Sequence, residues 1–257
     1  MNKKEIVRLK PECIDCLLKH HLNACPEETE PKIKLEYMKR LMQIIIDAKL
    51  EDSSPTLTPA IHQLQKEMFG MILTDYTEIK KYFNGLMMAK AEQIEKEIFF
   101  SKDPLKLALQ YAMTGNYIDF GAMESVSEEK FEELLFNARY ISLDAEEYKN
   151  LKNDLDTAKS LVFLHDNCGE IVFDHVLIKT LKKLYPKLHI ISMVRGVPVL
   201  NDATMEDANQ IGLTNTVDVM GNGSTIAGTC LEDISEDALK VIQNADVVIS
   251  KGQGNFE

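Results

Sequence analysis

Three short polar segments of the sequence contain the side chains best suited to chemistry, and each follows an apolar run. Carboxylate and amide oxygens are the ligands that Mg²⁺ and Mn²⁺ prefer in proteins. Glycines let backbone N–H groups approach an oxyanion, and cationic side chains add positive charge. The segments therefore predict a divalent metal at Asp166, Asn167 and Asp202, next to a bound phosphate. The residues in these segments are Asp166, Asn167, Glu170, Arg195, Asp202, Lys251, Gly252, Gly254 and Asn255.

Each segment also has an ordinary structural explanation when it is taken alone. Asp166 and Asn167 are typical of helix caps and turns, and Glu170 complements the dipole of the helix predicted to start there. His165 precedes Asp166 in a predicted strand, so alternation directs it to the opposite face and predicts a packed side chain. Other acidic residues on predicted helices are typical of solvated faces: Asp174, Glu206 and Asp207.

The apolar runs before the polar segments have the composition of buried parallel strands. β-Branched and other apolar residues dominate 160–165, 188–194 and 245–250, and residues 217–220 form a weaker fourth strand candidate. Helical patterns separate these runs, which predicts a βαβ order and an α/β fold with a mostly parallel sheet. Because the carboxyl ends of parallel strands meet at one edge of the sheet, we expect the polar segments to converge there.

Residues 1–157 and 158–257 differ in composition and predict two domains. The second part holds 8 of the 12 glycines but only 3 of the 12 methionines. In the first part, apolar residues recur at helical spacing, which predicts helices with one buried face and methionines in the core. One predicted buried stripe is Leu35, Met38, Met42, Ile45 and Ile46.

Charge and cysteine usage exclude several classes of protein. The chain has 29 Lys+Arg against 41 Asp+Glu, a formal net charge of −12, with 45% hydrophobic residues. A disordered chain is excluded, and nucleic acid or an anionic membrane surface is disfavoured as the main partner. The odd cysteine count of 5, with no apolar leader and no membrane-length segment, predicts a reduced, cytoplasmic, soluble protein.

Cys13 and Cys16 form a single Cys-x-x-Cys pair, with His20, His21 and Cys25 close by in the sequence. Zinc sites of this kind usually need a second pair, so zinc is disfavoured. A redox or structural role and an inert packed pair both stay open.

Five strings of residues resemble the signature segments of the damage-control phosphatase family, long called domain of unknown function 89. The Cys-x-x-Cys pair makes the chain similar to the branch found mostly in archaea and bacteria. The strings are Pro-Glu-Cys-Ile-Asp-Cys at 11–16, Gly-Asn-Tyr-Ile-Asp-Phe at 115–120, Asp-Asn-Cys-Gly-Glu-Ile-Val-Phe-Asp at 166–174, Val-Arg-Gly-Val-Pro at 194–198 with Asn-Asp-Ala-Thr at 201–204, and Ser-Lys-Gly-Gln-Gly-Asn at 250–255.

This resemblance implies a helical N-terminal region packed on a Rossmann-like domain, with metal-dependent phosphatase activity. The implied cofactor is Mn²⁺, Mg²⁺, Co²⁺ or Ni²⁺, and the implied substrates are small phosphorylated metabolites such as sugar phosphates or phosphopantetheine-like compounds. By matching position, the metal ligands are Asp166, Asn167 and Asp202, the first two also touching the substrate. Residues 251–255 would line the phosphate, and Asn116 and Asp119 would support the site.

The chain departs from the family pattern in two places. Cys168 stands where a small apolar residue is expected, and a thiol of similar size should be tolerated there without a catalytic role. The family pattern also continues beyond Glu257 with another helix and strand, so we expect a segment of the phosphate site to be absent from this sequence.

Three alternatives to hydrolysis by attack of water stay open at this point. Asp166 is also a possible nucleophile, forming an aspartyl-phosphate. A non-catalytic ligand-binding or thiol-redox regulatory module would use the same cleft and the Cys13–Cys16 pair. A methyltransferase is less well supported, because Asp-Asn-Cys-Gly stands where a glycine-rich cofactor loop is expected.

Overall fold

The computed structural model of the chain describes residues 9–49, 51–73, 75–117 and 128–256. Within these ranges, helices alone precede residue 158, and strands alternate mainly with helices after it. None of the helices in the described ranges has the length and apolar character needed to cross a membrane.

The helices before the first strand begin and end at residue types that favour helix ends. Proline stands in the first turn of α1, α2, α3 and α5, where the missing N–H is not needed. Asp144 caps α7 by accepting from the N–H groups of Glu146 and Glu147, and Gly70 ends α3 with a φ of 73°. The helices are α1 (Pro11–Asn23), α2 (Pro31–Ile46), α3 (Thr58–Phe69), α4 (Thr77–Phe100), α5 (Pro104–Tyr117), α6 (Glu128–Ala138) and α7 (Ala145–Thr157).

A four-stranded parallel sheet follows, with strand order β3-β2-β1-β4. β1 is central, and the chain moves to β2 on one side of it and returns to β4 on the other. This reversal leaves a crevice at the carboxyl end of β1, where ligands of such sheets bind. The elements are β1 (Ser160–Leu164), α8 (Glu170–Leu184), β2 (His189–Val194), α9 (Met205–Gln210), β3 (Asp218–Gly221), α10 (Glu236–Gln243) and β4 (Val247–Ser250).

The predicted α/β fold and its parallel sheet are confirmed, including the weaker strand candidate, which is β3. Alternation along β1 explains how the sheet is covered. Leu161 and Phe163 pack with α4, α5 and α8 on one face, whereas Val162 and Leu164 pack with α10 on the other.

The hydrophobic cores divide the chain at a different place from its composition. One core joins α4–α8 to the sheet, so helices on both sides of residue 157 share it. A second, smaller core lies among α1, α2 and α3 around Tyr37, Leu41, Ile61 and Leu64. The two-domain division at residue 157 stays a prediction from composition.

The predicted buried stripe of α2 is wrong in part. Leu35 is 57% exposed and Ile46 is 72% exposed, whereas Tyr37 and Leu41 are fully buried. The apolar residues of α2 nearly surround the helix, so their spacing alone did not select the face. The contact with α3 and with Phe69, edge-on to the Tyr37 ring at 5.1 Å, selects it.

Candidate active site

The loops after β1 and β2 meet at the carboxyl edge of the sheet and bring Asp166, Asn167 and Asp202 together. An antiparallel backbone bridge joins Asn167 to Asp202, and Ala203 N donates to Asp166 O at 2.7 Å. The Asn167 side chain donates from Nδ2 to Asp166 Oδ2 at 2.7 Å. Two carboxylates and one amide therefore occupy the same corner, as the sequence predicted.

Arg195 lies beneath this corner and is 1% exposed. Its guanidinium donates from Nε to Asp202 Oδ2, from Nη2 to Asp166 Oδ1 at 3.4 Å, and from Nη1 to Thr229 Oγ1 at 3.2 Å. Arg195 is thus committed to both carboxylates from the buried side. Burial, together with the charges of Asp202 and Glu170, raises the pKa of Asp166 to about 8.

Lys251, at the start of the loop after β4, is engaged by the protein itself. Its Nζ donates to Glu170 Oε1, to Asp174 Oδ1 at 2.8 Å and to Ala112 O at 2.9 Å. Burial acts to lower the pKa of Lys251, but Asp174 and Glu170 raise it above its usual value. An ammonium group has three donors, and these three acceptors use them all. In this arrangement the Lys251 ammonium has no N–H left for the predicted contact with a phosphate.

Asp174 corrects the prediction of a solvated acidic face on α8. Its carboxylate is fully buried, and it accepts from Lys251 and pairs with His165 Nδ1 at 3.0 Å. Burial alone would raise the pKa of Asp174, but the charge of Lys251 and the hydrogen bonds with His165 and Lys251 lower it below its usual value. His165 is packed, as alternation predicted, and stacks on Phe163 with ring centroids 4.8 Å apart.

Two glycines shape the loop after β4. Gly252 has a φ of 78°, and a Cβ there would overlap the Asp166 carboxylate. Gly254 packs closely against Gly228, which has a φ of 89°. Asn255 closes the loop by donating from Nδ2 to His165 O at 2.9 Å and to Lys251 O at 2.7 Å. The loop therefore approaches Asp166 through its backbone.

The α4 helix contributes a buried polar clamp that sequence reasoning missed. Lys80 Nζ donates to Asp202 O at 2.7 Å and pairs with Asp207 Oδ2 at 2.7 Å. Asn84 Oδ1 accepts from Gly169 N at 2.6 Å, and its Nδ2 donates to Asp207 Oδ1 at 2.9 Å. The sequence signal that could have revealed this clamp is the pair Lys80 and Asn84, four residues apart on the helix face that contains the buried Phe83 and Met87.

Asp207 is the second acidic residue for which a solvated face was predicted wrongly, whereas Glu206 is exposed as predicted. Asp207 is 3% exposed and completes a capping box with Thr204 at the start of α9. Its Oδ2 accepts from Thr204 and also pairs with Lys80, and its Oδ1 accepts from Asn84, so both oxygens hold the clamp from α4. The capping box at the start of α9 therefore buries Asp207, which the sequence predicted to be exposed.

The remaining predicted residues lie around the same edge or outside the described part of the chain. Asn116 lies within α5, which continues to Tyr117. Asp119 lies outside the described residues. Glu170 is at the first residue of α8, fully buried. Cys13 and Cys16 lie on α1, both as free thiols.

A cleft of about 880 Å³ opens above the carboxylates, between the sheet edge on one side and α1 and α3 on the other. Its acidic lining residues are Glu12, Asp166 and Asp202, and within the described ranges no lysine or arginine lines it. The same ranges hold no group of three His, Cys, Asp or Glu side chains placed to bind a metal. The residues facing Asp166, Asn167 and Asp202 across the cleft include Cys13, Cys16, His20 and His62.

The fold and site define an α/β protein whose acidic cleft lies at the point where the strand order reverses. The sequence model of the damage-control phosphatase ARMT1-like domain matches residues 9–257, nearly the whole chain. The chain therefore belongs to this family, as the five strings predicted, and its place in the Cys-x-x-Cys branch stays a prediction.

Individual relatives agree with this assignment. The chain is 33% identical to an uncharacterized protein of Methanocaldococcus jannaschii, covering 98% of this chain and 84% of the relative. It is 29% identical to a damage-control phosphatase of Pyrococcus horikoshii, covering 98% and 86%, and 30% identical to one of Archaeoglobus fulgidus, covering 78% and 69%. A crystal structure of the domain-of-unknown-function-89 protein from Pyrococcus horikoshii superposes with a TM-score of 0.77 at 26% identity, covering 97% and 86%.

Proposed function

We propose that the chain is a divalent-metal-dependent phosphatase that hydrolyses small phosphorylated metabolites, with Asp166, Asn167 and Asp202 holding the metal. Family membership supports phosphatase activity, and the substrates we propose are sugar phosphates or phosphopantetheine-like compounds. The reduced state of all the described cysteines is compatible with the cytoplasm, where we propose it acts.

The charge of the cleft is the observation that supports a bound divalent metal. A phosphate that enters next to Asp166 and Asp202 is repelled, because Arg195 is buried behind them and no described lysine or arginine lines the cleft. A divalent cation at this corner would reverse the local charge. The donors present are two carboxylates and an amide, which suit Mg²⁺, Mn²⁺, Co²⁺ or Ni²⁺. Gly252 leaves open the space around the Asp166 carboxylate that a side chain would fill.

The protein's own residues have separate tasks in this proposal. When bound, the cation would supply neutralisation of phosphoryl charge and activation of the attacking water. Backbone N–H groups of residues 252–255 would contact the phosphate, since the Lys251 ammonium is already engaged. The leaving group would face α1 and α3, where His20 is exposed and His62 is partly buried. Desolvation lowers the pKa of both imidazoles and favours their neutral form.

A phosphatase assay tests the proposal. We expect release of inorganic phosphate from p-nitrophenyl phosphate and from sugar phosphates with Mn²⁺, Mg²⁺, Co²⁺ or Ni²⁺, and loss of turnover with chelator. Asn167→Ala should reduce turnover at least about tenfold, since metal ligands and their supports act at this scale. Asn153→Ala, at an exposed position of α7, is the matched control and should retain activity. Turnover that chelator leaves intact would contradict metal dependence.

Attack by Asp166 itself is distinguished by trapping. Acid quench of a reaction with ³²P-labelled substrate should leave the protein unlabelled if water attacks directly. Label on Asp166 would replace our mechanism with an aspartyl-phosphate intermediate.

The second candidate function is a thiol-redox or ligand-binding module, and the position of Cys13 and Cys16 on the cleft wall favours it among the alternatives. It predicts no turnover with any metal, together with ligand affinity that changes on reduction. Equal affinity with and without reductant would remove it.

A further inference from the structure

Glu170 is buried next to the proposed metal ligands, although its own carboxylate is not one of them. It is 0% exposed at the first residue of α8. Its Oε1 accepts from Lys251 Nζ, and its Oε2 accepts from Asn167 Nδ2 at 3.4 Å. Lys251 is in turn fixed by Asp174 and by Ala112 O, so it cannot leave Glu170 for the cleft without losing these contacts.

These contacts determine which end of the Asn167 amide faces the cleft. An amide nitrogen has two N–H donors. One is directed at Asp166 Oδ2, 2.7 Å away, and the other at Glu170 Oε2. Both acceptors lie on the nitrogen side, which leaves Oδ1 for a ligand in the cleft that Asn167 lines.

The backbone of α5 provides a second constraint on Glu170. A Cβ at Gly115 would lie 3.1 Å from Glu170 Cγ and 3.2 Å from its Cα. Such distances are tighter than ordinary contact, so only glycine lets α5 approach Glu170 this closely without displacing it. The carboxylate is therefore seated by packing as well as by charge.

We propose that Glu170 is a positioning residue, which Lys251 and Gly115 hold so that the Asn167 amide presents Oδ1 to the cation. The inference rests on the proposed function for the cation. It gives Lys251 an indirect role, as the anchor of Glu170. Asparagine has two chemically different ends, so a site that uses it as an oxygen ligand needs a device of this kind.

The first test is Mn²⁺ binding by calorimetry on the whole chain without substrate. In Glu170→Gln, Lys251 requires the amide oxygen, so the new Nε2 meets Asn167 Nδ2, and the Asn167 amide is forced to turn. We expect the Kd for Mn²⁺ to rise about 10–100-fold. The control is Glu95→Gln, which breaks a Glu–Lys pair between α4 and α8 without contacting Asn167. An unchanged Kd in Glu170→Gln overturns the proposal.

A double variant restores an oxygen at residue 167 together with the negative charge that Glu170→Gln removes, and Gly115→Ala, which changes no charge, then separates orientation from charge. In Glu170→Gln combined with Asn167→Asp, both ends of residue 167 are oxygens, and one accepts from Gln Nε2. We expect most of the lost Mn²⁺ affinity to return. If the double variant binds as weakly as Glu170→Gln, the lost affinity does not come from the orientation of residue 167 and the positioning proposal is wrong.

Gly115→Ala reaches the same carboxylate without removing a polar group, and serves if Glu170→Gln does not fold. It should weaken Mn²⁺ binding, whereas Gly85→Ala on α4, where a Cβ meets nothing within 4 Å, should not. Equal effects of the two alanines would overturn the proposed seating of Glu170.

A measurement on the metal-free protein distinguishes this inference from the proposed function. The Asn167 side-chain NH₂ signals, identified by their loss in Asn167→Asp, should be protected from hydrogen exchange in the wild type and unprotected in Glu170→Gln. A wild type that binds no Mn²⁺ or other divalent metal refutes the proposed metal site but leaves this readout intact. Unprotected Asn167 signals in the wild type overturn the positioning role.

Discussion

Charged side chains beneath the cleft form two linked groups whose balance is negative. Asp166 and Asp202 share Arg195, and Glu170 and Asp174 share Lys251. With all four carboxylates ionised, the two cations leave a formal charge of −2, which one divalent cation would balance. Without that cation, burial and the neighbouring carboxylates raise the pKa of Asp166 to about 8, so the site relieves part of the surplus by holding a proton.

Gly252 offers a sharp test at the residue scale. In Gly252→Ala, the methyl group would overlap the Asp166 carboxylate and displace it, so we expect loss of most phosphatase activity. The left-handed backbone should add about 1–2 kcal/mol of destabilisation. The measurements are kcat/KM and the free energy of unfolding in urea.

Gly70→Ala is the matched control, because its φ of 73° is similar but a Cβ there meets nothing within 4 Å. It should show the destabilisation and keep the activity. If both variants keep full activity, the loop after β4 does not constrain Asp166.

Sequence reasoning identified the side chains of the site better than their contacts. The pattern of polar residues after strands placed Asp166, Asn167 and Asp202 at one edge, and the structure brings them together. The pattern also suggested that the Lys251 side chain binds phosphate. It did not show that Lys251 is engaged by Asp174, which looks exposed on its helix, and by the backbone of Ala112, which is distant in the sequence. A partner on another element leaves no local signal.

At the scale of elements, α4 connects the two loops that carry the proposed ligands. Asn84 is fully buried and accepts from Gly169 N, three residues after Asp166. Lys80 contacts the backbone of Asp202 itself. One helix therefore fixes the spacing between both loops, although it contributes no proposed ligand.

Asn84→Ala should weaken this connection. It leaves Gly169 N and one Asp207 oxygen without their present partner, so we expect about 1–3 kcal/mol of destabilisation for the buried polar groups left unsatisfied. We also expect kcat to fall more than KM rises, because the ligand loops lose their relative position. Steady-state kinetics and urea unfolding measure the two effects.

Gln93→Ala is the control at an exposed position of the same helix and should leave both quantities unchanged. Full activity in a destabilised Asn84→Ala would show that the clamp stabilises the fold only.

The α1–α3 unit contains a buried histidine that predicts acid sensitivity. Burial, with His20 and His62 nearby, lowers the pKa of His21 from 6.5 to about 4. The neutral imidazole pairs with Gln65 Nε2 at 3.2 Å. A histidine whose pKa is lower in the folded chain stabilises it above pH 6.5, and this contribution is lost as the pH falls towards 4.

We therefore expect the free energy of unfolding to fall between pH 6.5 and 4, and to fall less in His21→Gln. His189→Gln, at an exposed histidine, should retain the wild-type slope. Urea unfolding followed by circular dichroism at several pH values measures the slopes. Identical slopes in all three proteins would assign the acid sensitivity to other groups.

Considered as a whole molecule, the described part of the chain has one large core and two small ones. The large core joins α4–α8 to the sheet, one small core holds α1–α3, and the other lies between the sheet and α10. Composition pointed to residue 157 because it records glycine and methionine usage, which follows element type. Core membership depends on which faces pack together, and the α5–α8 contact crosses that boundary. The composition of a segment does not record which of its faces packs against which neighbour.

Hydrogen exchange should report the large core and the α1–α3 core separately. We expect amides of β1 and of α8 before its last turn to exchange only on global unfolding, since most residues there are buried. Amides of α1–α3 should exchange earlier, because fewer buried apolar side chains hold them. Mass spectrometry of exchanged peptides measures both. Equal protection throughout would mean that the two cores unfold as one.

The clamp from α4 has a consequence for anyone who would transplant this site into another scaffold. A graft of the sheet with its loops would carry every proposed ligand, yet it would omit Lys80, Asn84 and the backbone of α5 at Ala112 and Gly115. The smallest portable unit is therefore the sheet together with α4 and α5, with α8 between them as the common support.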